Sequence, residues 1–60
     1  MIKLVLIEDD KDLNELLALR FRALGYEVFE FYECVGVERV LDEQDIDILL
    51  VDRNLPFGKD

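Results

Sequence analysis

Two uninterrupted aliphatic runs, each closed by a carboxylate, constrain this chain more than any other feature. Ile48-Leu49-Leu50-Val51 stops at Asp52. The stretch from Ile2 to Ile7, apolar apart from Lys3, stops at Glu8-Asp9-Asp10. Consecutive aliphatics lack the alternation of a half-wet strand and suit one covered on both faces, as in a parallel sheet. An acid at the carboxyl end of such a strand lies where ligands bind in open α/β sheets. Two parallel neighbours would bring their terminal acids together.

The residues between these runs supply the connecting elements. Residues 2–7 read as the first strand and residues 11–24 as a helix, with Leu13, Leu16, Leu17, Leu24 and, on the flank, Phe21 forming its apolar face. Asp10 suits the N-cap, where a carboxylate accepts a bond from an orphan N–H. Gly25 suits the left-handed residue that ends the helix. Residues 27–33 alternate acids with Val28, Phe29, Phe31 and Tyr32, which predicts an edge strand. Val37, Val40 and Leu41 predict a short helix over 36–43, weakened by Gly36. The third strand runs over 47–51, with Asp45 and Asp47 as loop or strand-entry acids. The order is βαβαβ. If the first strand is central, with the second and third on either side, the switch point falls between strands one and three. Glu8, Asp9 and Asp52 would flank it.

Composition narrows the function. Fifteen acids against seven bases leave a net charge of −8, which argues against nucleic-acid or anionic-membrane contact by these residues and suits a cation. The chain has no His, which excludes imidazole acid/base chemistry and imidazole metal ligation. Cys34 has no partner for an intrachain disulfide and reads as a small buried hydrophobe; a cytoplasmic setting follows as the default. No apolar run reaches membrane-spanning length, and the N-terminus lacks a signal-peptide pattern. Sixty residues form one small domain, and 52% hydrophobic content is high for that size. Such a chain is expected to be part of a larger domain or to associate.

Three carboxylates at adjoining strand ends repel one another. A like-charge pair at ~4 Å costs roughly 4 kcal/mol at an effective dielectric near 20. A hard divalent cation removes that cost: Mg²⁺ takes oxygen ligands and bridges to phosphate oxygens. Asp52 beside such an ion could act as a nucleophile toward a phosphoryl donor. Glu8-Asp9-Asp10 could equally serve to cap the following helix, and residue types and spacing alone leave both readings open.

Taken together, Leu4-Val5-Leu6-Ile7-Glu8-Asp9-Asp10, then Leu13, Leu16 and Leu17, then Leu24-Gly25-Tyr26-Glu27-Val28, then Asp47 through Pro56 resemble the receiver domain of two-component response regulators. The specific motifs are an acidic pair closing the first strand and an Asp closing the third with Pro four residues on. The resemblance implies a flavodoxin-like (CheY-like) α/β fold, here the N-terminal half of a receiver truncated to βαβαβ, with parallel strand order 2-1-3. It implies that Asp52 is the phosphoacceptor. It also implies that Glu8 and Asp9 hold Mg²⁺, with Asp9 favoured as the direct ligand, and that the backbone carbonyl of Asn54 joins them. Pro56 would shape the loop beyond, and Asp10 is better read as the helix cap. The implied partner of the parent protein is a sensor histidine kinase, and transcriptional control through a DNA-binding output domain is expected by analogy. The module is not an enzyme in the ordinary sense, although the parent could catalyse its own phosphorylation from a phosphodonor.

The family's hydroxyl residue on the fourth strand and Lys on the fifth have no counterpart here, so this piece is expected to accept phosphate poorly or not at all. Its apolar third strand, lacking the family's fourth, would be an edge, and a homodimer through two such strands paired antiparallel about a two-fold axis is expected. Two other functions compete. A haloacid-dehalogenase-like phosphatase also uses a strand-end Asp, but wants a second Asp two residues on, where this chain has Asn54. A self-associating piece without chemistry is the other.

Overall fold

A computed structural model of the chain describes residues 1–52. The first aliphatic run forms β1 (Lys3–Ile7), and its carboxyl-terminal acids lead into α1 (Lys11–Ala23). The alternating acidic segment forms β2 (Glu27–Phe31), followed by α2 (Val37–Glu43) and β3 (Ile48–Val51). The elements are therefore the expected five, with ends one or two residues inside the expected bounds. All strands are parallel, in the order β2-β1-β3. Leu4 lies opposite Val28 on one side and Ile48 on the other, and Ile7 lies between Phe31 and Val51. The described residues thus form a flavodoxin-like βαβαβ arrangement.

The chain steps from β1 outward to β2, then back across β1 to β3. Right-handed crossovers in opposite directions place their helices on opposite faces of a sheet, and the core divides accordingly. Leu4, Leu6, Val28 and Ala18 form one layer beneath α1, with Leu17, Phe21 and Tyr26 packed against it. Val5, Ile7 and Val37 form the other, beneath α2, with Phe29, Phe31, Val40, Ile46 and Val51. Alternate residues of β1 thus feed both layers, and Leu4 through Ile7 are each at most 2% exposed. Burying an aliphatic side chain to this degree contributes roughly 1.5–3 kcal/mol, so β1 is the axis of the fold.

The ends of α1 are set by local chemistry. Asp10 has extended backbone angles, and its Oδ1 accepts from Leu13 N at 3.1 Å. At the other end Gly25 has φ of 94°. Its N–H donates to Arg22 O at 2.9 Å, and Tyr26 N donates to Phe21 O at 3.1 Å. These two bonds form the Schellman arrangement, completed by apolar contact across it: the rings of Phe21 and Tyr26 stack with centroids 5.8 Å apart. Both cap residues agree with the sequence reading.

The rotation of α1 does not. The helix presents Asn14, Leu17, Ala18 and Phe21 to the sheet, whereas Leu13, Leu16 and Leu24 are exposed. Small Ala18 admits the helix close to the sheet, and Asn14 has backbone carbonyls to bond there. In α2, Val37 is buried and Val40 packs, but Leu41 is exposed. Gly36 precedes the helix in the left-handed conformation, at φ of 88°, so it does not interrupt α2. Cys34 is half-buried rather than buried.

The expectation of two-sided cover fails for β3. Ile48, Leu49 and Leu50 are 37%, 49% and 37% exposed. As the outer strand it has β1 as its neighbour within the described sheet, and the two helices lie over β1 and β2. Its start is well anchored all the same. Asp47 N donates to Lys3 O at 2.9 Å, Lys3 N donates to Asp47 Oδ2 at 2.9 Å, and Lys3 Nζ reaches Gln44 Oε1 at 3.0 Å. Asp47 is therefore a strand-entry acid that sets the β1–β3 register.

Candidate metal centre

The register of β1 and β3 determines where their acids meet. Ile7 and Val51 are paired, so the next residues, Glu8 and Asp52, leave the sheet side by side. Asp52 N donates to Ile7 O at 2.9 Å, and Glu8 N donates to Phe31 O at 2.9 Å. Both backbones are thus held to the end of the sheet. One carboxylate oxygen from each of Glu8, Asp9 and Asp52 lies within 4.8 Å of the other two. They line an open depression of about 410 Å³ together with Asp10 and Leu13. A larger groove of about 700 Å³ runs between α1 and β2, but its lining mixes Lys11 and Arg22 with Asp12, Glu15 and Glu30. The acids converge in the smaller depression.

The three acids differ in exposure. Glu8 is buried, Asp52 half-buried and Asp9 exposed. Glu8 Oε2 accepts the N–H of Asp10 at 3.0 Å. That bond is the strongest single influence on the Glu8 carboxyl and pulls its pKa down. Burial, hydrogen bonding and charge from Asp52, and hydrogen bonding with Asp9 push the other way and prevail, so Glu8 titrates above the ordinary value of 4.5. Two carboxylates that hydrogen-bond to each other share a proton. A divalent cation would compete for the same place.

The donor set suits such a cation. All three groups offer hard oxygen, and Mg²⁺ takes oxygen ligands at about 2.0–2.1 Å, which places opposite ligands about 4.2 Å apart. The observed spread needs only small side-chain adjustments to reach that. Glu8, Asp9 and Asp52 would hold such an ion, with water completing its shell.

Of the residues expected at the site, Glu8, Asp9 and Asp52 are brought together, and Asp10 serves as the α1 cap. Asn54 and Pro56 lie outside the described residues. One participant was missed in the sequence: Asn14. It is fully buried, and its Nδ2 donates to Glu8 O at 3.1 Å and to Phe31 O at 3.0 Å. Its position four before Ala18 and seven before Phe21 puts it on their helical face. That spacing was readable, but a polar residue there is passed over when apolar residues alone define the face.

Over 53 residues the chain is 34% identical to the Aerobic respiration control protein ArcA of Escherichia coli strain K12. The same identity and span hold for the proteins of that name from strains CFT073 and O157:H7. The similarity covers 88% of this chain and 22% of each relative, so the chain spans about a fifth of their length. No protein-family profile matches the chain. No solved structure matches it significantly. Among the described residues, no helix is long and apolar enough to cross a membrane.

Proposed function

We propose that the chain is the N-terminal half of a response-regulator receiver, in which Asp52 accepts a phosphoryl group beside Mg²⁺ held by Glu8, Asp9 and Asp52. The observation that carries this reading is the convergence of the three carboxylates, within 4.8 Å, at the carboxyl ends of two adjacent parallel strands. The similarity to a control protein and the β2-β1-β3 order support it. The backbone carbonyl of Asn54 would add a ligand, and Pro56 would shape the loop beyond. In the parent protein a sensor histidine kinase would be the donor, in the cytoplasm, and the output would be transcriptional.

In the transfer step, an Asp52 carboxylate oxygen attacks phosphorus. A P–O bond forms, giving an acyl phosphate, as the bond from phosphorus to the donor's leaving atom breaks and its electron pair departs with that atom. When bound, Mg²⁺ supplies charge neutralisation for the transferring oxygens. The protein's own contribution is to hold the Asp52 backbone on Ile7 O, which limits the directions its side chain can take.

The test uses Mg²⁺ titration by calorimetry and incubation with Mg²⁺ and acetyl phosphate followed by mass spectrometry. Mg²⁺ binding that is lost in Asp9→Asn and in Asp52→Asn is expected. Because the family's hydroxyl and Lys have no counterpart in these residues, labelling of Asp52 is expected to be slight. Absence of Mg²⁺ binding would overturn the site, and stoichiometric labelling would overturn the expectation of low activity.

The exposure of β3 favours a second property, self-association. With Ile48 and Leu50 paired to Leu4 and Leu6, and Asp52 N on Ile7 O, the alternation of a parallel ladder turns the N–H and C=O groups of Leu49 away from β1. Two such edges can pair antiparallel about Leu49, placing Ile48 of each copy opposite Leu50 of the other. Strand-to-strand pairing of this kind gives a two-fold dimer. Sedimentation should show a dimer that Leu49→Lys dissociates; a monomer at all concentrations would rule the pairing out.

A further inference from the structure

We infer that Asn14 is a positioning residue for the acidic pair, and that it sets the cation affinity of the depression without touching the cation. This rests on the metal-site reading above and adds to it a residue outside the acids. Asn14 holds the Glu8-Asp9-Asp10 segment at both ends. Its backbone N–H donates to Asp10 O at 2.8 Å, and its side-chain Nδ2 donates to Glu8 O at 3.1 Å. The same Nδ2 donates to Phe31 O at 3.0 Å, an oxygen that also accepts Glu8 N. One buried amide therefore ties the carboxyl ends of β1 and β2 to the first turn of α1.

The chemistry of the amide shows which of its groups matters. The orientation is dictated by the partners, because two carbonyl oxygens require donors and Oδ1 in that place would be repelled. In this orientation Oδ1 is buried without a hydrogen-bond partner among the described residues. An apolar side chain of similar shape would remove that orphaned acceptor but would also strip Glu8 O of its donor. The service Asn14 performs lies in Nδ2, and Nδ2 acts on the carbonyl of Glu8. The peptide that carbonyl belongs to is the one joining Glu8 to Asp9. Fixing its plane fixes the directions in which the buried and the exposed carboxylate leave the backbone. Groups that orient metal ligands in this way typically carry a 10- to 100-fold effect on affinity.

The experiment titrates Mg²⁺ into the whole 60-residue chain by calorimetry, with the folded fraction measured by circular dichroism. The variants are Asn14→Leu, Asn14→Ser and Val28→Ala. Val28 is buried beneath α1, away from the acids, so Val28→Ala loses stability without altering the 8–10 segment. Asn14→Leu should raise the Mg²⁺ dissociation constant of the folded chain about 10-fold or more. Asn14→Ser, which keeps one short donor, should fall between it and the parent. Val28→Ala should bind as the parent does once corrected for folded fraction. Equal affinity in the parent and both Asn14 variants would overturn the positioning role and leave the metal site standing. If Asn14→Leu does not fold, Asn14→Ser decides alone, and parental affinity in it overturns the proposal. If the parent chain itself binds no Mg²⁺, the metal site and this inference both fall.

Discussion

β1 and β3 are built from the same kind of side chain and lie next to each other in register, yet they live in different surroundings. Leu4-Val5-Leu6-Ile7 faces Ile48-Leu49-Leu50-Val51 residue by residue. The first four are buried to within 2%. Of the second four, three are more than a third exposed, and Val51 alone packs into a core layer. An aliphatic run is a demand for cover, and it does not supply the cover. β1 obtains it because each crossover helix lies over one of its faces. β3 is the last of the described strands, and its outer edge has no neighbour among the described elements.

The other outer strand sharpens the point. β2 is as peripheral as β3, but its sequence is written for an edge. Glu27 and Glu30 interrupt its apolar residues. Arg22 lies over it, donating from Nη1 to Glu30 Oε2 at 2.6 Å and from Nη2 to Val28 O at 2.9 Å. Charge on an edge, and a side chain capping an outward carbonyl, discourage strand addition. Between Ile48 and Val51 there is no charge at all. Among the described residues, one edge of the sheet is closed by charge and a capped carbonyl, and the other carries neither.

The contrast between β1 and β3 is most sharply tested by truncating register partners. Leu6→Ala should cost about 2–5 kcal/mol in urea unfolding, since the site is packed on all sides. Leu50→Ala, its partner across the ladder, should cost well under half of that. Equal losses would mean that β3 is covered in solution, and would place the cover on the face that carries Leu50.

A smaller effect is expected where β1 and β3 end. The folded Glu8 carboxyl titrates above 4.5, so folding takes up protons in this range. The sign follows directly. The stabilisation is fully present below the unfolded pKa and is lost as pH rises through the higher folded value. In a chelator, the parent chain should therefore lose stability as pH is raised from 4.5 toward neutrality, and Glu8→Gln should flatten this dependence. Excess Mg²⁺ should flatten it as well, by substituting a cation for the proton. A parent profile that rises over that range, parallel to the variant's, would show that the β1–β3 end carries no strained carboxylate cluster.

The smallest effect concerns the closed edge. Arg22 is half exposed and Glu30 about a quarter, so their pair is screened by solvent. Arg22→Ala should cost roughly 0.2–1 kcal/mol, with the lost bond to Val28 O adding little because water can replace it. Its larger consequence should be on association: with the cap gone, light scattering at high concentration should rise. No change in scattering would mean that the acids of β2 are sufficient to guard it.

Much of the architecture was legible because it depends on neighbours in sequence. Alternation or continuity of apolar residues distinguishes an edge strand from an inner one, and β2 and β1 followed that rule. Asp10 and Gly25 were legible as caps because a cap bonds groups within a turn of itself. The meeting of Glu8, Asp9 and Asp52 was legible too, through the rule that parallel neighbours end together. The apolar face of α1 was misjudged. Leu13, Leu16 and Leu24 are more hydrophobic than Asn14, and hydrophobicity alone would turn them inward. The sheet end offers two carbonyl oxygens that need a donor, and Asn14 is the residue that can meet them. That requirement arises only when β1, β2 and α1 are assembled.

By itself, then, the sequence determined the five elements, the caps of α1, the parallel pairing and the residue types at the site, all consequences of local stereochemistry and periodicity. Tertiary structure decided the rotation of α1, the exposure of β3, the unequal burial of the three acids and the upward shift of Glu8. Each of these depends on which groups from distant parts of the chain come within a few ångströms, where burial, hydrogen bonding and charge act together.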